Sequence, residues 1–316
     1  MSIPMLFGPY GSPSLEFISQ FSQYGANTVW FHGFNPDAFE VCQKFQVNPC
    51  VEFKTFRGDF NNRPEIIPIG VDGQPIRYGD LVQGVCLSQS EFLDETENNL
   101  IEGIKTFQPT GIWLDYLTYA GWFETPTPDL QESCFCPDCI ADFCNATGID
   151  ADTPDEILGA SGVQWTQYKC ERIAKFASHY AGLIRSCLPD CIIGAYMCPW
   201  TPDEFDGALT RIFAQDYALL APAIDVFTPL IYAKKSGRTP EWGREFLDKA
   251  PQFVPQDRKV QLILDAKDYP DSLIAAGGSP NPSWGIQMFA GVQIFSDSDN
   301  AKLFRKVIDQ IHKRVS

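Results

Sequence analysis

The clearest indication of the fold comes from residues 111–119, Gly-Ile-Trp-Leu-Asp-Tyr-Leu-Thr-Tyr. Apolar and β-prone residues fill its first positions, and a single carboxylate, Asp115, follows them. A short apolar run of this kind is typical of a strand buried on both faces, as in a parallel sheet. The preceding segment 90–107 carries Phe92, Leu100 and Ile104 at helical spacing. A helix followed by a buried strand indicates one unit of a parallel α/β sheet.

The same alternation extends in both directions from this stretch. Further strands are predicted at 3–8, 26–34, 50–56, 192–200, 224–233, 260–267 and the second half of 284–295. Helical spacing lies between and after them, chiefly at 15–24, 37–45, 165–187, 208–220 and 300–315. Eight strands joined by helices predict an α/β fold of the (β/α)8 or TIM-barrel type, in a single domain over 1–316.

Two long loops are predicted, and one motif of the alternative architecture is missing. The loops follow strands three and four, at 58–89 with a small hairpin around 71–74, and at 120–162, an excursion that contains cysteines. A doubly wound open sheet is the alternative architecture, but 8–11, Gly-Pro-Tyr-Gly, is not the glycine-rich phosphate turn of such sheets. The absence of a nucleotide or phosphate motif predicts that no organic cofactor is bound.

The amino-acid composition limits the classes of molecule that the protein is expected to bind. The 316 residues are 44% hydrophobic, which is a globular composition, and 40 Asp and Glu against 24 Lys and Arg give a net charge of −16. A strongly acidic surface argues against nucleic acid or an anionic membrane and is compatible with a neutral carbohydrate. The sequence has no apolar run of about 18 residues. The first residues lack the charged and apolar regions of a signal peptide, so we expect a cytoplasmic protein whose oligomeric state stays open.

Polar and aromatic residues at the predicted strand ends are the candidate site, because barrel enzymes react at the C-terminal ends of their strands. Asp115 is the strongest catalytic candidate, with Asp265 and then Glu52 as its partner carboxylate. Residues predicted to bind substrate are Tyr10, Trp30, His32, Trp113, Tyr196, Trp200, Tyr232, Lys234 and Lys267. Two carboxylates with aromatic walls suit cleavage of a glycosidic bond.

Each candidate has a structural alternative. Asp115 could cap the following loop, Glu52 and Asp265 could pair with neighbouring lysines, and His32 could be a hydrogen-bonded wall residue. Two other functions also stay open: a saccharide-binding barrel without catalysis, and a lyase or aldolase. The second would form a Schiff base on a barrel lysine, for which the candidates are Lys54, Lys234 and Lys267.

Several motifs resemble those of (β/α)8-barrel glycoside hydrolases. They are the segment 84–88, the fourth strand with Leu-Asp-Tyr at 114–116, the Cys-x-Cys-x-x-Cys loop at 134–139 followed by Phe143, and 225–232, Asp-Val-Phe-Thr-Pro-Leu-Ile-Tyr. The resemblance covers most of 84–297 and implies hydrolysis of a carbohydrate. In related alpha-glycosidase barrels the carboxylate that ends strand four is the nucleophile, which implies this role for Asp115. Thr110 departs from the family's usual Asp, and no second carboxylate lies in a recognisable motif.

The cysteines are odd in number, 11 in all, which does not suggest a disulfide framework. The Cys-x-Cys-x-x-Cys loop resembles a zinc cluster of some beta-galactosidase barrels, in which one upstream cysteine joins the loop. This resemblance implies a structural zinc ion held by Cys86, Cys134, Cys136 and Cys139. Reduced thiols, a disulfide, or a site completed by Asp138 or Cys144 are alternatives, and the spacing is shorter than iron–sulfur motifs usually show.

Overall fold

The protein folds into a closed barrel of parallel strands. The computed structural model describes residues 4–11, 15–78 and 84–315. The strands are β1 Phe7–Tyr10, β2 Thr28–His32, β3 Asn48–Lys54, β4 Gly111–Asp115, β5 Ile192–Met197, β6 Val226–Ile231, β7 Lys259–Val260, β8 Leu262–Asp265 and β9 Ile286–Phe289. Each strand pairs in parallel with its neighbours, and β9 pairs with β1 to close the ring. Because β7 and β8 both pair with β6, they form one barrel strand interrupted at Gln261. The prediction of a (β/α)8 barrel is confirmed.

Helices surround the barrel. They are α1 Leu15–Ile18, α2 Pro36–Phe45, α3 Ser90–Phe107, α4 Pro137–Thr147, α5 Pro154–Cys187, α6 Ala208–Arg211, α7 Tyr217–Leu220, α8 Trp242–Lys249, α9 Asp271–Gly277 and α10 Ser298–Val315. None of the helices in the described ranges is long and apolar enough to cross a lipid bilayer.

Two predicted boundaries are wrong for local reasons. The last barrel strand occupies the first half of 284–295, because Ala290 adopts a left-handed conformation (φ 52°) and ends it. The helix expected at 208–220 is two short helices, because Ala214 is also left-handed (φ 56°) and the Asp216 side chain caps a new start.

The excursion at 120–162 contains more regular structure than we expected. Helix α4 begins there, capped by the Cys136 sulfur, and α5 begins at Pro154 behind a capping box formed by Thr153 and Glu156. A buried ion pair ties the excursion to the body of the protein. The Lys169 ammonium on α5 is fully buried and contacts Glu132 at 2.7 Å, and Arg211 contacts the same carboxylate at 3.2 Å.

Large aromatic side chains fill the barrel interior. The rings of Trp30 and Trp113 pack edge to face with centroids 5.4 Å apart, and both side chains are fully buried. Trp113 donates a hydrogen bond to the Thr228 hydroxyl at 2.8 Å. Gly194 on the next strand makes room for the indole, since a Cβ there would lie 2.3 Å from it. Trp30 and Trp113 therefore fill the core and present no ring face to a ligand, contrary to their prediction as sugar platforms.

Candidate active site

The candidate site lies where β3 and β4 end. Asp115 is the last residue of β4, and Lys54 at the end of β3 is its register partner. The backbone of Asp115 is held by Thr55, whose amide and hydroxyl both donate to the Asp115 carbonyl, at 2.9 and 2.7 Å. Tyr116 follows in a left-handed conformation (φ 55°), and its amide donates to the Asp115 Oδ1 at 2.9 Å. A non-glycine residue in this conformation costs energy and is found disproportionately at functional sites.

The carboxyl groups of Glu52 and Asp115 hydrogen-bond to each other. Burial, followed by the negative charge of Glu52, raises the pKa of Asp115 well above its ordinary value. Burial also acts to raise the pKa of Glu52, but hydrogen bonds from His32 and Asp115 outweigh it and leave this pKa lowered. Two carboxyl groups in contact cannot both ionise without strong repulsion. The pair therefore holds one proton, with Asp115 as the neutral member.

His32 connects this pair to solvent. Its Nδ1 contacts the Glu52 Oε2, and its side chain is 44% exposed, whereas that of Glu52 is 1% exposed. The Tyr10 hydroxyl lies 3.4 Å from the same ring nitrogen, and the Lys54 ammonium lies 3.9 Å from the Glu52 Oε1. Contacts therefore run without a break from the exposed ring of His32 through buried Glu52 to Asp115, which is itself partly exposed.

Aromatic rings line the mouth of the barrel above the tryptophan layer. Tyr10 packs against Tyr196 and Phe289, with centroids 5.7 and 5.5 Å apart, and Phe289 in turn packs against Tyr232 at 5.1 Å. The Tyr196 hydroxyl hydrogen-bonds to the side-chain amide of Gln287 at 2.8 Å. All three tyrosines are largely buried, so they form the walls of the site rather than an open platform.

A cavity of about 50 Å³ adjoins Asp115. Its lining includes Tyr116, Trp122, Glu124, Tyr196 and Leu230. This volume admits one or two water molecules and is smaller than a sugar ring. Asp115 is therefore next to a small cavity with a second acid, Glu124, on its lining.

Sequence reasoning missed Glu124. It lies in the loop after β4, its side chain is 12% exposed, and its carboxylate contacts the Lys235 ammonium. Burial, together with the negative charge of Asp265, raises the pKa of Glu124 although Lys235 acts to lower it. The available signal was its position, because loops that follow the strands of a barrel line its active face.

The remaining predicted residues take structural positions. Asp265 is 5% exposed and accepts a hydrogen bond from the Lys267 amide at 2.9 Å, so it caps the turn that follows β8. Trp200 is 2% exposed and packs on Phe205 with centroids 4.1 Å apart, which places it in the core beneath a loop. Its prediction as a sugar platform is not supported by this burial.

The three lysines considered for a Schiff base are not in apolar pockets. Lys234 and Lys267 are exposed, and the Lys234 ammonium donates to the Lys267 carbonyl at 3.3 Å. The Lys54 side chain is 34% exposed and lies beside the Glu52 carboxylate. A Schiff-base lysine requires a depressed pKa, which desolvation or another cation would supply and a neighbouring carboxylate opposes.

A second candidate site is the cysteine cluster. The sulfur atoms of Cys86, Cys134, Cys136 and Cys139 all lie within 4.8 Å of one another. The Cys86 sulfur is 3.6 Å from that of Cys136 and 3.7 Å from that of Cys139. Four thiolates around a tetrahedral ion at a Zn–S distance of about 2.3 Å have their sulfur atoms about 3.8 Å apart. The donor set and its spacing therefore fit a structural metal ion.

Hydrogen bonds to the sulfur atoms also fit thiolate ligands. The Ile69 amide donates to the Cys134 sulfur at 3.3 Å, and the Cys139 amide donates to the Cys136 sulfur at 3.5 Å. The Arg172 guanidinium on α5 reaches the Cys139 sulfur at 3.8 Å. Donors of this kind stabilise negative charge on sulfur and orient the ligands. An ion here would join segment 84–89 to the excursion and the first turn of α4.

Solved structures share this fold. Neither a protein-family model nor a curated protein sequence matches the chain. The glycoside hydrolase domain of PgaB (BpsB) from Bordetella bronchiseptica is similar with a TM-score of 0.74 at 12% identity, over 96% of this chain and 99% of that one. A beta-galactosidase from the haloarchaeon Halorubrum lacusprofundi has a TM-score of 0.67 at 12% identity, over 98% of this chain. A GH42 beta-galactosidase from G. stearothermophilus has a TM-score of 0.64, also at 12% identity.

These likenesses show that the chain shares its (β/α)8-barrel architecture with solved glycoside hydrolases. The chain spans 58% and 56% of the two beta-galactosidases, against 99% of the PgaB domain. At this level of identity the likeness concerns the fold, and the chemistry has to be argued from the residues of the site.

Proposed function

We propose that this protein is a glycoside hydrolase in which Asp115 donates a proton to the glycosidic oxygen. The observation that carries the proposal is the hydrogen-bonded pair of Glu52 and Asp115 at the C-terminal mouth of the barrel. A carboxyl group that keeps its proton near neutral pH is what a general acid of this reaction requires. This role differs from the nucleophile that the family resemblance implies for Asp115, since a nucleophile has to be ionised.

In this proposal Glu52 and His32 assist Asp115, the general acid. Glu52 contacts Asp115 directly, so the two cannot flank one glycosidic bond, which requires carboxyl groups about 5 Å or more apart. Glu52 instead holds the Asp115 proton in place before reaction. After Asp115 has given its proton to the leaving group, His32 supplies another through Glu52, because its ring reaches both Glu52 and solvent.

The substrate that we propose is a neutral saccharide whose ring contacts the aromatic rim of the mouth. The cavity of about 50 Å³ beside Asp115 does not hold a whole sugar, so we propose that the saccharide lies across the mouth and directs only the reacting bond inward. The net charge of −16 supports a neutral rather than an anionic substrate.

A panel of chromogenic glycosides tests this function. We expect the wild-type protein to cleave at least one aryl glycoside. On the matching alkyl glycoside or oligosaccharide, whose leaving group needs a proton, we expect both Asp115→Asn and Glu52→Gln to lower kcat by about 100-fold or more, the range for loss of a general acid. Wild-type protein without activity on aryl glycosides and on oligosaccharides would refute the assignment.

We also propose that the ion held by Cys86, Cys134, Cys136 and Cys139 is zinc. A set of four thiolates suits a tetrahedral structural zinc ion and leaves no open position for substrate. Its contribution is therefore to the stability of the excursion, because three of its ligands lie in the excursion and the fourth, Cys86, lies outside it.

A further inference from the structure

The proposed function assigns no role to Glu124, although this residue lines the same cavity as Asp115. It follows Trp122 and Phe123 in the loop after β4, and its carboxylate contacts the Lys235 ammonium from the loop after β6. The Lys235 nitrogen lies 5.2 Å from the centroid of the Trp122 ring and 5.6 Å from that of Tyr232. An ion pair clamped between two rings fixes the carboxylate in one orientation.

The loop that carries Glu124 is anchored on Phe213. The Thr118 hydroxyl hydrogen-bonds to the Phe213 carbonyl at 2.8 Å, and the Tyr119 amide donates to the same carbonyl at 3.2 Å. Gly121 packs against the Phe213 ring, since a Cβ there would lie 2.3 Å from that ring. This anchoring holds Glu124 at a constant position relative to Asp115.

Asp115 and Glu124 are on the lining of the same small cavity, but they have different partners. The Asp115 carboxyl bonds to Glu52 and to the Tyr116 amide, whereas the Glu124 carboxylate bonds to Lys235. Glu124 acts on Asp115 through its charge. The cavity of about 50 Å³ that both residues line is large enough for one or two water molecules.

We propose that Glu124 is the general base that activates water in this site, so that the enzyme inverts the anomeric configuration; the proposal rests on the proposed glycoside hydrolase function. The Glu124 carboxylate takes a proton from the cavity water, and the water oxygen forms a bond to the anomeric carbon. The bond from this carbon to the glycosidic oxygen breaks, and its electron pair leaves with that oxygen, which takes the Asp115 proton. The products are a hemiacetal and an alcohol, and the charges balance.

The charged and titratable groups around Glu124 determine when it acts as a base. These groups face it from several elements and are Lys235, Asp115, Asp265, Tyr116 and Tyr232. Lys235 is the cation in contact with it, so removal of Lys235 raises the pKa of Glu124. Activity requires ionised Glu124, and the acidic limb of the pH profile therefore moves to higher pH in Lys235→Met.

The test compares full-length Glu124→Gln with Asp129→Asn, a control for an exposed carboxylate of the same excursion. The substrate is the p-nitrophenyl glycoside that the wild-type protein cleaves fastest. We expect kcat of Glu124→Gln to fall about 100-fold with KM changed less than about threefold, and kcat of Asp129→Asn to stay unchanged. Proton NMR of the first product should show inverted configuration, and sodium azide should partly restore Glu124→Gln by forming an inverted glycosyl azide.

The outcomes distinguish the proposed role of Glu124 from the glycoside hydrolase function on which it rests. Retained configuration, unchanged kcat in Glu124→Gln, or an unshifted acidic limb in Lys235→Met would overturn the role of Glu124 and leave the hydrolase function standing. An inactive wild-type protein would overturn both. Should Glu124→Gln fail to fold, the product configuration and the Lys235→Met profile still decide.

Discussion

Glu52 lies two residues before the end of β3 and Asp115 ends the neighbouring strand β4, and their carboxyl groups share one hydrogen bond. Burial and the charge of Glu52 keep the proton on Asp115, while His32 and Asp115 together favour ionised Glu52. This relationship turns two similar side chains into an acid and its ionised partner. Such a separation of pKa values within one pair is a general way for enzymes to assign acid and base roles.

The raised pKa of Asp115 has a consequence for stability. Above its ordinary pKa of 3.8 the unfolded chain releases this proton while the folded protein keeps it, so folding becomes less favourable as the pH rises. Asp115→Asn removes this effect. We expect the stability of Asp115→Asn relative to wild type to increase between pH 4.5 and 7, as measured by urea unfolding at each pH.

Glu52 does not disturb that measurement. Its pKa is lowered, so its favourable contribution is complete above its ordinary value of 4.5 and is lost only as the pH falls below it. A stability difference between Asp115→Asn and wild type that is independent of pH between 4.5 and 7 would mean that Asp115 is ionised in the folded protein.

The cysteine cluster predicts a stoichiometry. Protein purified without chelator should contain about one zinc ion per chain, and cobalt substitution should give sulfur-to-metal charge-transfer bands. Cys136→Ser should lose the ion and lower the melting temperature, because the ion joins separate segments. Cys144→Ser is the matched control, since its sulfur bonds instead to the Ala151 carbonyl at 3.2 Å. Equal metal content in the two variants would contradict the assignment.

Substitution of Lys169 should lower the free energy of unfolding substantially. Its ammonium is fully buried against Glu132, so Lys169→Met leaves that carboxylate with Arg211 alone. Removal of one partner from a buried ion pair typically costs about 3–5 kcal/mol, and Arg211 should keep the cost near the lower figure of about 3 kcal/mol. Urea unfolding measures it. Lys302→Met, at a lysine whose side chain is 67% exposed, should change stability little.

A substitution at Trp113 distinguishes a residue of the core from a residue that binds substrate. We expect Trp113→Ala to lower the free energy of unfolding by about 3–5 kcal/mol, because its indole fills the barrel interior. A sugar platform would instead raise KM and leave stability nearly unchanged. Calorimetry together with kinetics on the same preparation distinguishes the two.

Sequence periodicity predicted the barrel and the place of Asp115, because a polar residue after a wholly apolar strand marks the strand end. Periodicity could not show how deep inside the barrel each residue of a strand lies. Trp113 and Asp115 share a face of β4, as Trp30 and His32 share one of β2, but the earlier member of each pair lies one layer deeper. The aromatic residues therefore looked like a binding wall, although Trp30 and Trp113 belong to the core.

Glu124 could not be found in this way, since a loop residue has no periodicity and its approach to Asp115 depends on contacts with distant segments such as Phe213 and Lys235. The early start of α5 had a usable signal. Thr153-Pro154-Asp155-Glu156 is a capping box with proline at the first helical position, and it marks the helix start eleven residues before the predicted one at 165.

The most direct test of the account is the rate at which Asp115→Asn cleaves an alkyl glycoside or oligosaccharide that the wild-type protein hydrolyses, because an alcohol leaving group, unlike a nitrophenolate, needs the proton of the general acid. The control is Asp206→Asn, at an aspartate whose side chain is 97% exposed. We predict that kcat falls about 100-fold or more in Asp115→Asn and stays at the wild-type value in Asp206→Asn. Full activity of Asp115→Asn would contradict the account, because no proton donor would then be missing from the site.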